Sequence, residues 1–183
     1  ARAPCGWLAA KVKIPEGVPT GAPDDVPDGV PVVEGVRVDL SGTSIPALPV
    51  WVSEDTTNLR MSNCAKLTAL PDIGRLGALD CLELSGCPNL TALPDEVGRL
   101  RSLKILKLDH CASLGAVPEL SGLRLLITLD LSFNAHLGDA GATALAEALQ
   151  SQKNSRLKEL YLDGCDLGAA GAKALAGLLR SSP

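Results

Sequence analysis

Two stretches of the chain decide its fold: residues 79–87 read LDCLELSGC, and residues 103–111 read LKILKLDHC. Each has apolar side chains at its first, fourth and sixth positions and ends in cysteine at its ninth. The pattern recurs six times, at spacings of 21, 23, 24, 23 and 31 residues. A repeat of this length predicts one short strand per coil, in stacked coils that bury each other's apolar sides. The ninth positions of coils one to six are Thr43, Cys64, Cys87, Cys111, Asn134 and Cys165.

Length and composition narrow the class of protein. The 183 residues fit one domain, and 46% of them are hydrophobic while only 2% are aromatic, so we expect an aliphatic core. The formal net charge of −4 argues against a nucleic-acid partner, which would require clustered Lys and Arg. No run of the sequence approaches the length of a membrane-spanning segment, although peripheral attachment to a membrane complex stays open.

Four of the six cysteines hold the ninth position of a coil: Cys64, Cys87, Cys111 and Cys165. That position turns the chain inward after the strand, where a side chain satisfies backbone groups of the neighbouring coil. We therefore expect these thiols to be buried, unpaired and free of metal. Reduced thiols favour an intracellular or organellar location over secretion, whereas the sequon Asn89-Leu90-Thr91 points the other way.

Motifs of known catalytic sites do not occur in the sequence. It contains no Gly-x-Ser-x-Gly, no Walker loop and no His-Glu-x-x-His, and only two histidines are present. Residues 138–141 and 168–171 each begin and end in glycine, but no Lys-Ser or Lys-Thr follows, so they are interpreted as turns. We predict no enzyme activity, no catalytic residue, no metal ligand and no cofactor.

Residues 1–34 differ from the rest and predict a separate N-terminal arm. Prolines at positions 15, 19, 23, 27 and 31 recur every four residues and exclude regular helix and sheet interior. We expect this arm to lie extended against a partner or against the first coil, with Trp7 as its anchor. Residue 1 is Ala and no signal-type segment follows, so we expect a processed form or part of a longer protein. Residues 35–183 form the repeat domain.

The segments that return from one strand to the next change character along the chain. Leu-Pro or Val-Pro pairs at 48–49, 70–71, 93–94 and 117–118 predict extended or short 3₁₀ returns, with Trp51 on the outer side. Alanine-rich segments 143–149 and 173–179 instead predict α-helices, and Asp139 is the expected N-cap of the first. The residues expected to point inward from the early returns are Val52, Ile73, Val97 and Leu120.

With these features in view, residues 35–183 resemble the leucine-rich repeat proteins. Residues 56–124, such as LPDEVGRL at 93–100, resemble the shorter repeats of plant resistance proteins and bacterial Leu-Pro types. Residues 125–179 resemble the longer repeats of ribonuclease inhibitors. The resemblance implies an α/β fold: a right-handed curved solenoid with six parallel strands on its concave face. It also implies a protein-binding module.

The expected concave face carries charges and a few apolar side chains. Its fifth positions alternate in sign over five coils, which favours a ladder that fixes strand register over a charged-ligand site. These positions are Asp39, Arg60, Glu83, Lys107, Asp130 and, in coil six, Tyr161. Apolar or amphipathic residues on this face occur late in the chain, and either form one binding patch or are scattered by chance. They are Ile105, His110, Phe133 and Tyr161.

The function favoured by the sequence is a non-catalytic protein–protein interaction module, acting as an accessory or scaffolding subunit of a larger, organellar assembly. The proline arm and the absence of a polar capping unit after the last repeat favour this interpretation. The alternative is a ligand-recognition fragment of an immune-type receptor or a bacterial effector. We expect partner contacts first at Trp7 and Trp51 and second at the late patch. Glu83, as an exposed ladder charge, should matter less.

Overall fold

The computed structural model describes residues 37–118, 120–151 and 156–181. The proline-rich arm of residues 1–34 and its expected anchor Trp7 lie outside these ranges. The boundary at residue 34 therefore stays a prediction.

Six three-residue strands form one parallel sheet in chain order. The register pairs equivalent pattern positions, so that Leu59 lies opposite Leu82 and Leu82 opposite Leu106. This confirms the expected solenoid with one strand per coil. The strands are β1 (Arg37–Asp39), β2 (Asn58–Arg60), β3 (Cys81–Glu83), β4 (Ile105–Lys107), β5 (Thr128–Asp130) and β6 (Glu159–Tyr161).

The core runs through the stack behind the sheet and is aliphatic, as the composition predicted. Side chains alternate along a strand, so the fourth and sixth positions point to one side of the sheet. In coil three these are Leu82 and Leu84, and both are fully buried. Positions three, five and seven lie on the opposite side of the sheet, which we call the ladder face.

The returns have the two predicted forms. The early coils contain 3₁₀ turns at Ile73–Arg75 and Asp95–Arg99, and the late coils contain helices α1 (Gly138–Ser151) and α2 (Ala169–Ser181). Proline in the early returns removes a backbone donor and prevents a longer helix, whereas alanine-rich sequence favours one. As expected, the four inward residues of the early returns are buried: Val52, Ile73, Val97 and Leu120.

The ninth positions join each coil to the one before it. The side chain there donates to the carbonyl of the sixth residue in the preceding coil: Cys87 Sγ reaches Met61 O at 3.1 Å, and Asn134 Nδ2 reaches Leu108 O at 2.9 Å. All four cysteines at this position are buried and free, as predicted. The hydrogen bond with Cys111, together with burial, raises the pKa of Cys87 to about 11.

Asp139 does not cap its own helix, contrary to the sequence expectation. It lies inside the first turn of α1, and its Oδ1 accepts N–H groups of Gly168 at 2.7 Å and Gly171 at 2.8 Å. These donors stand at the N-terminus of α2, so one carboxylate caps the neighbouring helix. Glycine is needed at residue 171 because a Cβ there would lie 2.7 Å from Asp139 Oδ1. The glycine segments 138–141 and 168–171, interpreted from the sequence as turns, instead lie at the N-termini of α1 and α2.

Candidate protein-binding site

The eighth position of every coil has a left-handed backbone. Side chains destabilise this conformation, so glycine or asparagine is the usual occupant. Four coils follow that rule, and coils four and five break it with His110 (φ 59°) and Phe133 (φ 60°). A left-handed backbone is a genuine outlier for a residue as bulky as phenylalanine. The other occupants are Gly42, Asn63, Gly86 and Gly164.

His110 and Phe133 stack on each other across the two coils. Their ring centroids lie 4.4 Å apart at an interplanar angle of 26°. Phe133 is 47% exposed, although it is a large apolar side chain. Gly164 lies at the Cδ1–Cε1 edge of the ring, where a Cβ would come within 2.8 Å of Cδ1 and 3.2 Å of Cε1. The imidazole therefore covers one face of the ring and the glycine contacts one edge, while part of the ring surface faces solvent.

A short hydrogen-bonded chain fixes the imidazole of this pair. Asp109 Oδ2 lies 3.0 Å from His110 Nδ1, and Ser85 Oγ donates to Asp109 Oδ1 at 2.5 Å. Burial acts to raise the pKa of Asp109, but the hydrogen bonds from Ser85 and His110 outweigh it and hold that pKa below its usual value. Asp109 is therefore ionised at neutral pH and orients His110. We call His110 and Phe133 the stacked pair, and Asp109 is the residue that orients it.

The last two repeats of the chain match a known family model, and the strand register links them to the earlier coils. The family model described as Leucine Rich repeat matches residues 122–146 and 153–176, which contain coils five and six. The four earlier coils continue the same strand register in the same sheet. The chain is a leucine-rich repeat protein.

Two plant proteins align with part of this leucine-rich repeat protein. TMV resistance protein N of Nicotiana glutinosa is 35% identical over 74 residues, which is 38% of this chain and 6% of that protein. A putative disease resistance protein of Arabidopsis thaliana is 38% identical over 61 residues, which is 32% of this chain and 5% of that protein. The repeat protein thus spans a small part of the length of these relatives.

Two solved structures align with most of this chain. An internalin of Listeria monocytogenes aligns over 79% of this chain and 38% of its own, with 18% identity and a TM-score of 0.49. The leucine-rich repeat domain of the type III effector XopL aligns over 75% of this chain and 57% of its own, with 21% identity and a TM-score of 0.47. Both scores lie below 0.5, and the family assignment does not depend on them.

The stacked pair contains only two of the four residues expected in the late patch. Ile105 and Tyr161 are half-buried and lie within β4 and β6, at the third and fifth positions. These positions come five and three residues before the eighth, which belongs to the turn after the strand. His110 and Phe133 therefore lie at the turn and the other two on the ladder face, and a single binding patch of all four stays a prediction.

The ladder face carries the expected alternation of charge. Arg60 lies 3.8 Å from Asp39 and donates to Glu83 at 2.5 Å, and Lys107 Nζ lies 2.8 Å from the other Glu83 oxygen. These contacts link four neighbouring strands and support the register-fixing interpretation. The expectation that Glu83 is exposed is wrong, because only 5% of it is accessible. Its two cationic neighbours and the packed strands around it account for that burial.

Trp51 is not the exposed anchor that the sequence suggested. It is half-buried and packs against the hydrophobic core, while the adjacent Val50 is the exposed apolar residue of this return. Arg75 of the next coil donates to the carbonyls of Pro49, at 3.0 Å, and Val52. The return that carries Trp51 is therefore fixed from both sides, and any contact of Trp51 with a partner stays a prediction.

Within residues 37–118, 120–151 and 156–181, no three His, Cys, Asp or Glu side chains come together to hold a metal ion. The helices in the same ranges are too short or too polar to cross a membrane.

The occupants of the eighth position distinguish the stacked pair at the level of the sequence. Glycine or asparagine at four of the six eighth positions indicates a left-handed backbone, and His110 and Phe133 are the exceptions. Comparing the occupants of that one column would have separated these two residues from Ile105 and Tyr161.

Proposed function

We propose that this leucine-rich repeat protein is a non-catalytic protein-recognition module and that the stacked pair is its main contact site. The observation that carries the proposal concerns Phe133. Its ring is half-exposed and stacked on His110, and its own backbone has a left-handed conformation that favours glycine. Backbone strain persists where the surrounding structure holds it, and it concentrates at functional sites.

The physical case for recognition rests on preorganisation. Aromatic side chains dominate the binding energy of protein interfaces because they bury a large area and lose little freedom on binding. Here Gly164 and His110 fix the Phe133 ring, and Asp109 fixes His110, before any partner arrives. Ordering these side chains therefore costs little additional free energy at the moment of association.

Of the two roles considered from the sequence, recognition within a larger protein is the better supported. Both plant relatives are named for disease resistance, and each alignment covers a short segment of a much longer chain. The role favoured by the sequence, an accessory or scaffolding subunit of an organellar assembly, rested on the absence of a polar capping unit and on the proline arm, which lies outside the described residues. We therefore propose ligand recognition, with proteins as the ligands.

The test is a comparison of two glycine substitutions at the same repeat position. Phe133→Gly removes the ring and keeps the left-handed turn, and Asn63→Gly makes the matched change in coil two, where the side chain is exposed and forms no part of the stacked pair. Each variant and the wild type serve as bait in quantitative affinity capture. We expect proteins that are retained by wild type and by Asn63→Gly but reduced at least about tenfold by Phe133→Gly. Equal recovery with all three baits contradicts the proposed site.

An intracellular or organellar location is also part of the proposal. Four buried free thiols support it, whereas the disulfide-bonded Cys81 points to an oxidising compartment. Asn89 of the sequon is exposed, as a glycosylation site in a secreted protein would be, although its Nδ2 donates to Ala65 O at 2.6 Å. Mass spectrometry of the natively produced chain, before and after glycosidase treatment, should find Asn89 unmodified. A glycan on Asn89 would contradict the location.

A further inference from the structure

We propose that the stacked pair receives an arginine side chain of the partner protein. This inference rests on the proposed function and names the chemistry that the site recognises. The guanidinium would lie on the exposed surface of Phe133 and form a salt bridge with Asp163. Three observations support it: the charge of the surrounding turns, the place of Asp163 beside the ring, and the fixed orientation of that ring.

The turns around the stacked pair are acidic. Residues 109–113, 132–136 and 163–167 follow β4, β5 and β6, and they contain three aspartates and no lysine or arginine. Asp109 is occupied by Ser85 and His110. Asp163 and Asp166 are exposed. An exposed aromatic ring beside exposed carboxylates is complementary to a cation, because both the ring face and the carboxylates attract positive charge.

Asp163 lies next to Phe133 in the neighbouring coil. The Phe133 N–H donates to the Asp163 carbonyl at 2.6 Å, and Gly164, which follows Asp163, lies against the ring. The Asp163 side chain therefore starts within one residue of the aromatic surface. A planar guanidinium can stack on a ring and present its N–H groups to a carboxylate at the same time, whereas the compact ammonium of lysine does so less well.

Purely apolar partners fit these surroundings less well. A leucine or phenylalanine side chain placed on the ring would bring apolar surface into turns whose exposed aspartates, Asp163 and Asp166, require water. Coil two offers the contrast, since its turn has Asn63 at the eighth position and Lys66 shortly after it. Aromatic surface and acidic surroundings thus coincide at the stacked pair.

Two probes that differ only in charge test the inference. N-acetyl-arginine amide carries the guanidinium, and N-acetyl-citrulline amide is its neutral isostere. Each is titrated into ¹⁵N-labelled protein, and the amide signals of His110, Phe133 and Gly164 are followed. We expect these signals to shift with the arginine probe and the citrulline probe to bind at least about fivefold more weakly.

A matched pair of charge variants separates a local salt bridge from a general effect of net charge. Asp163→Asn should weaken binding of the arginine probe about threefold, whereas Asp95→Asn, at an exposed acid of the second 3₁₀ turn, should leave it unchanged. Equal binding of both probes, equal effects of both variants, or no shift at the stacked pair overturns the inference. The two proposals can also fail separately. If affinity capture of a partner depends on Phe133 but the wild-type protein binds neither probe, this inference is overturned and the proposed function stands.

Discussion

At the scale of single residues, two columns of the repeat contribute in different ways. The ninth position requires a small buried donor, which thiol and amide groups both supply, so Asn134 and Cys87 are equivalent in role. The eighth position requires a left-handed backbone, which glycine satisfies and phenylalanine strains. A residue that satisfies the conformation of its repeat position therefore indicates a structural role, and a residue that strains this conformation indicates a functional one.

The first prediction concerns the strained turn. Phe133→Gly should change the free energy of unfolding by less than about 1 kcal/mol, because relief of the left-handed strain offsets the loss of a half-exposed ring. Leu129→Ala, at a fully buried position of the same coil, should cost about 2–5 kcal/mol. Urea denaturation measures both. A cost above about 2 kcal/mol for Phe133→Gly would mean that the ring is structural.

The second prediction concerns the Cys87 thiol in alkaline solution. Its pKa of about 11 in the folded chain lies above the value of about 8.5 expected in the unfolded chain, so the folded state keeps the proton to higher pH. The stabilisation is full below about pH 8.5 and is lost as pH rises toward 11.

Cys87→Asn keeps a donor without a titrating group, so its stability should fall less steeply than that of wild type. Denaturation between about pH 8 and 9.5 compares the two slopes. Identical slopes would show that Cys87 titrates alike in both states.

At the scale of elements, neighbouring coils are held by side chains that reach from one to the next. Asp139 of α1 caps α2, Arg75 fixes the return of the preceding coil, and Glu83 bridges cations on both adjacent strands. Each contact joins one coil to the next. The cohesion of the stack therefore depends on pairs of coils rather than on single elements.

The third prediction follows from the cap of α2. Asp139→Ala leaves two N–H groups of the helix terminus without their acceptor and should cost about 1–2 kcal/mol. Glu147→Ala, at an exposed position of α1, should change stability by no more than about 0.5 kcal/mol. Thermal unfolding followed by circular dichroism tests the difference. Equal effects of the two substitutions would show that the Asp139 cap does not stabilise the fold.

The fourth prediction concerns the buried member of the charge ladder. Glu83→Gln leaves Arg60 and Lys107 without their shared carboxylate and should cost about 1–3 kcal/mol. Asp80→Asn disrupts the exposed pair with Lys104 and should cost less than about 1 kcal/mol. Chemical denaturation at low and high salt distinguishes them. If Asp80→Asn proves as damaging as Glu83→Gln, the burial of Glu83 has no energetic consequence.

At the scale of the whole molecule, periodicity made the fold predictable. Each coil repeats the same inward positions, so Leu82 and Leu84 could be assigned by comparison with five other coils. The stacked pair and the Asp139 cap could not be assigned in that way. Both depend on how side chains of adjacent coils meet, and the nine-residue pattern specifies the strands but not the contacts between turns. Trp51 was misplaced for the same reason, since its burial depends on how the return of its coil packs.

The central claim is that recognition occurs at Phe133 rather than at the N-terminal tryptophans. The chain contains one phenylalanine and two tryptophans, so 4-fluorophenylalanine labels residue 133 alone and 5-fluorotryptophan labels Trp7 and Trp51. The decisive measurement is the ¹⁹F NMR spectrum of the doubly labelled protein with and without the partner fraction recovered by the wild-type bait. The account predicts that the fluorophenylalanine signal shifts or broadens while the Trp51 signal stays in place. A fluorophenylalanine signal that does not change while a tryptophan signal moves would contradict it.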